Sequence, residues 1–338
     1  MEKIMSTICA FVLLVTTAVS PIAVNAQSDE PNIVSGVYEY QVLDSAAKTA
    51  AIRKVNEYGE MLSLPQYIDG YKIVKIGAEW NDTENYPQEN DIQNLQVLKN
   101  SANTIKTISI PEGIQSIGDF AFSQTPNLVQ LKLPKSLKEI GFENFMQARK
   151  IKYLVFPGEI SVVRSFFDSN LDKVVIRNSL RGYFEDYHLG VAGLGGKIKK
   201  LVVNGKGYIS LACLSEIVKI EVEKSVGELF LSSTGKVTDI TVKNKKTKLL
   251  IDGTDVLMSG KVRVNLGKIK RSKKGKYTWS KPSVRVVGDK KKNVSKKISY
   301  ILKYRNEKGK HRTKKVTKNK ITKLKTKSGV TVTAEIKL

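Results

Sequence analysis

The chain has 338 residues, 41% hydrophobic and 26% charged, with a net charge of +25 at pH 7. That length supplies a sizeable core and room for two domains, while two cysteines and two histidines exclude a disulfide scaffold and leave little for metal or His-dependent chemistry. The charge is confined to one end: residues 261–338 hold 28 Lys+Arg against three acids (Asp289, Glu307, Glu335), and residues 27–260 hold 28 of each sign.

Residues 1–26 read as a secretory signal. Lys3 opens a short n-region, Ile8 to Val19 form the apolar run, and Val24-Asn25-Ala26 supplies small residues for cleavage after Ala26. The run is short for a membrane span, and Pro21 breaks it. Removal of this segment takes Cys9 with it. Cys213 then remains, as a small buried apolar side chain and not a nucleophile.

Residues 27–103 read as an N-terminal cap with a first, irregular repeat. Tyr38–Val42 and Ala50–Val55 predict two short strands. Leu62-x-Leu64-Pro65-x-x-Ile68-Asp69-Gly70-Tyr71-x-Ile73-x-x-Ile76-Gly77 is a repeat with an extra Gly70-Tyr71 turn inserted. Residues 81–103 are polar, a loop with a short helix around Ile92 to Leu98.

From 104 to 260 the chain repeats itself. Ile105-x-x-Ile108-x-Ile110-Pro111-x-x-Ile114-x-x-Ile117-Gly118 returns as Leu128-x-x-Leu131-x-Leu133-Pro134-x-x-Leu137-x-x-Ile140-Gly141, and Phe122 returns as Phe145. Ile108 and Ile110 alternate with Thr107 and Ser109, which predicts a strand with one buried face. Pro111 ends the ladder, having no N–H to donate, and Gly118 is expected to allow a tight corner. A unit of this length cannot bury its apolar side alone, so stacking must close the core. Further units start at Ile151, Leu171, Ile198, Ile217 and Val237, and Leu249–Ile251 with Val256–Met258 are expected to close the far end.

These units resemble the bacterial leucine-rich repeats of the BspA-like type, L-x-x-L-x-L-P-x-x-L-x-x-I-G-x-x-A-F, with Thr125 where that family usually has Cys. The resemblance implies a mainly β, right-handed solenoid with short helical or irregular return segments. It also implies adhesion to host proteins as a function.

Residues 261–338 alternate short apolar runs with Lys- and Gly-rich turns. Trp279-Ser280-Lys281-Pro282, Tyr300 to Arg305 and the alternating Val330 to Ile336 resemble a fibronectin type III sandwich, with Val330 where that family has Tyr. A small β-sandwich-like module is expected.

Little in the chain points to catalysis. His188 and His311 lie far apart with no paired-ligand spacing, and Gly190 to Lys197 departs from a phosphate loop at Val191 and Ile198. Asp168, Asp172, Glu185 and Asp186 have no spacing that marks a pair. No cofactor or metal site is expected, and no enzyme; a wall hydrolase with an acidic site and a structural spacer are the alternatives. The outward strand positions offer a binding face instead: Tyr153, Val155, Val175 and Val202 at its apolar centre, rimmed by Lys132, Lys173, Lys200 and Lys219. The expected partner is a host extracellular protein or glycan. The basic tail, with Lys290, Lys291, Lys292, Lys314 and Lys315, is expected to meet an anionic wall polymer, lipid or sulfated glycan. Nucleic acid is not expected for a secreted monomer at a bacterial surface.

Overall fold

Each coil contributes one strand to a front surface and a second to a back sheet, because apolar residues recur at both places. The computed structural model describes residues 31–338 apart from 83–84, 99–101, 163–165, 167–168, 182–196, 213–215, 233–235, 253–255, 288–297, 323, 327–328 and 338. The signal segment lies outside the described residues. Ile108 is fully buried between the half-exposed Thr107 and Ser109, and Leu131 and Leu154 repeat the arrangement in the next two coils.

The front surface is built in two pieces. Met61–Ser63, Thr107–Ser109 and Gln130–Lys132 pair in parallel as a three-stranded sheet. A second sheet begins at Tyr153–Phe156 and runs in parallel through Lys173–Ile176, Lys197–Val203, Glu216–Val222, Lys236–Val242 and Lys261–Ile269. The back sheet starts with the antiparallel cap strands Ile33–Ser35, Tyr38–Asp44 and Thr49–Val55. Tyr71–Ile76, Ser116–Ile117, Glu139–Ile140, Ile160–Val162, Leu180–Arg181, Gly207–Ala212, Val226–Ser232 and Lys248–Asp252 then follow in parallel.

The returns keep irregular turns over 118–129 and 141–152, as expected from the sequence, and carry strands besides. These strands are two residues long at Ser116–Ile117 and seven at Val226–Ser232. The later returns lengthen because they alternate fully: Leu229, Leu231, Leu249 and Ile251 point inward with polar or half-exposed residues between them. The polar stretch after the first repeat contains the α-helix Glu89–Leu95, started by a capping box between Gln88 and Asp91, and runs into a 3-10 turn at Ala102–Thr104.

One apolar core runs from Tyr40 to Ile336. Phe145 stacks between Phe122 at 5.5 Å and Phe166 at 5.0 Å, so the recurring Phe forms a column along the stack. Asp69 (φ 48°) and Gly70 (φ 80°) join the antiparallel strands Tyr67–Ile68 and Tyr71–Ile76. A two-residue hairpin with positive φ at both positions is what an Asp-Gly pair favours.

Gly118 serves a different end from the expected corner. Positive φ falls on Phe120 and Gln124, and one repeat later on Glu143 and Gln147, while Gly118 stays outside the left-handed region. Gly118 is needed because successive coils touch there: a Cβ would sit 2.1 Å from the Ala78 carbonyl oxygen. Next to it Asp119 binds coils on both sides, accepting hydrogen bonds from the Trp80 N–H at 2.8 Å and the Phe142 N–H at 2.6 Å. Burial pushes the Asp119 carboxyl above its usual range, against those two bonds.

Residues 261–338 extend this architecture. Val262 and Val264 lie in register with Ile240 and Val242, and Val284 and Val286 with Leu249 and Ile251. Leu249–Ile251 thus sits inside the stack, with another strand beyond it, and does not close the end. Val330–Lys337, Ile298–Arg305 and His311–Val316 then add to the front sheet in antiparallel order. Lys276–Thr278 pairs with Lys320–Thr322, and Trp279 packs edge to face on Tyr300 at 5.4 Å. Among the described residues, 261–338 form no separate β-sandwich. Val262, Val264 and Leu266 are buried in the common core, so their strand is held by the preceding coil.

Candidate binding face

The outward positions of the front sheet form straight rows. Val155, Val175, Val202 and Glu221 are in register along one row, and Tyr153 and Lys173 begin the other, which continues through Lys200, Lys219 and Asp239. Exposure along them is uneven. Tyr153 is 51% exposed, whereas Val175 and Val202 keep 7% and 8%, although neither belongs to the inner core. The apolar centre is thus narrower than the sequence suggests, with Tyr153 as its exposed anchor. The Lys173 ammonium stands 5.5 Å from the centre of the Tyr153 ring, a cation–π contact. Lys132 lies on the separate three-stranded piece, opposite Ser109. Met61, 73% exposed and in register with Thr107, extends that piece outward. It escaped the sequence reading because it precedes the irregular first repeat.

Lys200 and Lys219 are engaged within the chain. Both reach Glu221, at 2.8 Å and 2.7 Å, and Lys243 stands 3.9 Å away. The hydrogen bonds from Lys200 and Lys219 hold the Glu221 carboxyl at about 2, against an ordinary 4.5. A depressed carboxyl contributes stability that is complete above its unfolded value and is lost as pH falls through the folded one. Glu221→Gln should therefore cost about 1–2 kcal/mol at pH 7, discounted for the exposed lysine ends. Near pH 2 the variant and the parent should converge, as urea midpoints at the two pH values will show. An undiminished difference at pH 2 would mean the carboxylate charge is not the cause.

A second cluster lies further along the same face. Glu335 faces Lys261 at 3.1 Å, Lys315 at 3.2 Å and Arg263 at 3.6 Å, and Arg263 also meets Asp239 at 3.3 Å. Burial works to raise the Glu335 carboxyl, but hydrogen bonds from Lys261 and Lys315 outweigh it and bring it below the usual range. These acids sit at alternate positions of separate strands, and only the register brings their cations to them.

Among the other sequence candidates, Asp172 pairs with Lys199 at 2.7 Å, and His311 lies exposed on His311–Val316. Lys314 and Lys315 are exposed on that strand. Lys290, Lys291, Lys292, Asp168, Cys213, Glu185, Asp186, His188 and the glycines of 190–196 lie outside the described residues. Among the described residues, no group of three His, Cys, Asp or Glu side chains is placed to hold a metal ion.

Comparison with known proteins gives one family match, the BspA type leucine rich repeat region, over residues 95–188. No curated protein matches. A leucine-rich repeat protein from Bacteroides capillosus is similar at 19% identity, over 44% of this chain and 100% of that one, with a TM-score of 0.34. A leucine rich cell surface protein from Faecalibacterium prausnitzii is similar at 13% identity, over 76% of this chain and 63% of that one, with a TM-score of 0.33. The pneumococcal vaccine antigen PcpA is similar at 12% identity, over 69% of this chain and 98% of that one, with a TM-score of 0.23. The chain is a mainly β solenoid, and residues 95–188 of it match the BspA type leucine rich repeat region.

Proposed function

We propose that this is a non-catalytic binding protein of the bacterial cell surface. The outer front face docks a host extracellular protein or glycan, and the basic end contacts an anionic surface polymer. The observation that carries the reading is Tyr153, a half-exposed aromatic ring with Lys173 over it, beside the row of Val155, Val175 and Val202. An amphipathic aromatic flanked by cations suits the centre of an interaction surface, because its ring is rigid and already partly desolvated. The repeat match and the secretory signal read from residues 1–26 favour a surface location.

The test compares Tyr153→Ala/Lys173→Glu with the parent chain in pull-downs against host extracellular proteins and purified cell wall. The variant should keep its urea midpoint and lose most of the host-protein or glycan capture. Undiminished capture would remove this face from the function. A variant that unfolds would show that Tyr153 is structural.

A further inference from the structure

The outer front face changes character at Glu335. Up to that point Glu216, Glu221, Asp239 and Glu335 each pair with a lysine or arginine. Beyond it, the register places Asn265, Thr333, Ile301 and Lys315 in one row and Lys268, Thr331, Lys303 and Thr313 in the next, followed by Arg305 opposite His311. Among the described residues these rows contain no carboxylate. Lys315 is drawn back toward Glu335, while Lys268, Lys303 and Arg305 point to solvent without an acidic partner.

We infer that this cationic end of the face seats a linear polyol-phosphate polymer of the cell wall, an assignment that rests on the anionic-polymer part of the proposed function. The cations form a bent track and not a pocket, with Lys268 and Lys303 set across the strands and Arg305 along the strand from Lys303. Lys268 and Lys303 stand two strand spacings apart, roughly 9–10 Å, and Lys303 and Arg305 two residues apart, roughly 7 Å. A flexible chain carrying one phosphate per repeat can turn along such a track, and Thr331 lies between the two lysines as a hydroxyl donor. Lysines on an outermost strand can serve merely to prevent edge pairing. That explanation fits His311–Val316 but not Lys303, which is paired on both sides, with Thr331 and Thr313; Lys268 is paired with Thr331 on one side, past the end of the pairing with Lys236–Val242. Among the described residues of 261–338, no large apolar side chain is exposed to enter a bilayer, which disfavours a membrane as the occupant.

The opposite side of the same hairpin provides a matched control. Arg312 and Lys314 are exposed but lie opposite Tyr304 and Leu302, on the other face, so this assignment takes Lys314 out of the polymer-binding set expected from the sequence. Lys268→Glu/Lys303→Glu and Arg312→Glu/Lys314→Glu change the net charge equally. With the chain from residue 27 and purified poly(glycerol phosphate) as probe in low-salt titrations, the first variant should bind roughly tenfold more weakly. The second should stay within about twofold, and Glu335→Gln should bind more tightly by releasing Lys261 and Lys315. Equal losses in the two double variants would overturn the face assignment while leaving attraction by overall charge intact. Absence of binding by the parent chain would overturn both the assignment and the anionic-polymer reading. A preference of the parent chain for heparin or anionic vesicles over the polymer would overturn the choice of occupant.

Discussion

Leu154→Ala will lower the unfolding free energy by about 2–5 kcal/mol, and Ile108→Ala and Leu131→Ala will fall in the same range. Each residue occupies the inward position of a front strand, and Leu154 and Ile108 are fully buried, with Leu131 at 7% exposure. Truncation removes a side chain that touches the coils before and after it. The cavity cannot collapse easily, because a parallel ladder holds the strand spacing on both sides of Ile108 and on one side of Leu131 and Leu154. Leu131, being less enclosed, should give the smallest loss of the three. Urea or guanidinium titration of the chain from residue 27 checks the set. A midpoint unchanged for Leu154→Ala would invert the inside and outside of the front strands.

Gly118→Ala should cost about 3 kcal/mol although it adds only one methyl group. The added Cβ would meet three backbone atoms of Ala78, at 2.1, 2.6 and 2.7 Å, and backbone cannot rotate aside as a side chain can. The first two coils would have to separate, straining the Asp119 bridge to Trp80 and Phe142. Gly59→Ala is the control: nothing lies within 4 Å of its Cβ and its φ is not left-handed, so the change should stay within about 0.5 kcal/mol. If both substitutions prove equally mild in thermal and urea unfolding, the coils do not approach as closely as this geometry requires.

The solenoid was legible because its signal is local and repeated. Ile105 to Phe122 and Leu128 to Phe145 place an apolar side chain at every turn of the coil, and a strand with one buried face has no other way to satisfy that pattern. The inserted turn was legible too, but it is centred on Asp69 and Gly70, with Tyr71 already in the following strand, where the sequence pointed to Gly70 and Tyr71. The part played by Gly118 was not: close approach and left-handed φ both select glycine, and sequence alone cannot tell them apart.

The far end shows how a compositional signal differs from a structural one. Charge steps up at residue 261, yet Val262, Val264 and Leu266 continue the buried alternation of Ile240 and Val242, and the lysines fall on the outward positions between and beyond them. Charge reports what faces water and apolar spacing reports what is buried, so the two can change independently along one strand.

The amino-acid sequence by itself determined the repeating unit, its inward residues and the excess of positive charge at one end, because each depends on spacing or composition along the chain. Only the tertiary structure decided which charges stay available. Register across the front sheet brings Lys200 and Lys219 to Glu221, and Lys261, Arg263 and Lys315 to Glu335, over sequence separations that no local pattern records. The same register leaves Lys268, Lys303 and Arg305 without an acid beside them. Ion pairing falls off within a few ångströms, so it is set by which strands are neighbours and not by how many lysines the chain contains.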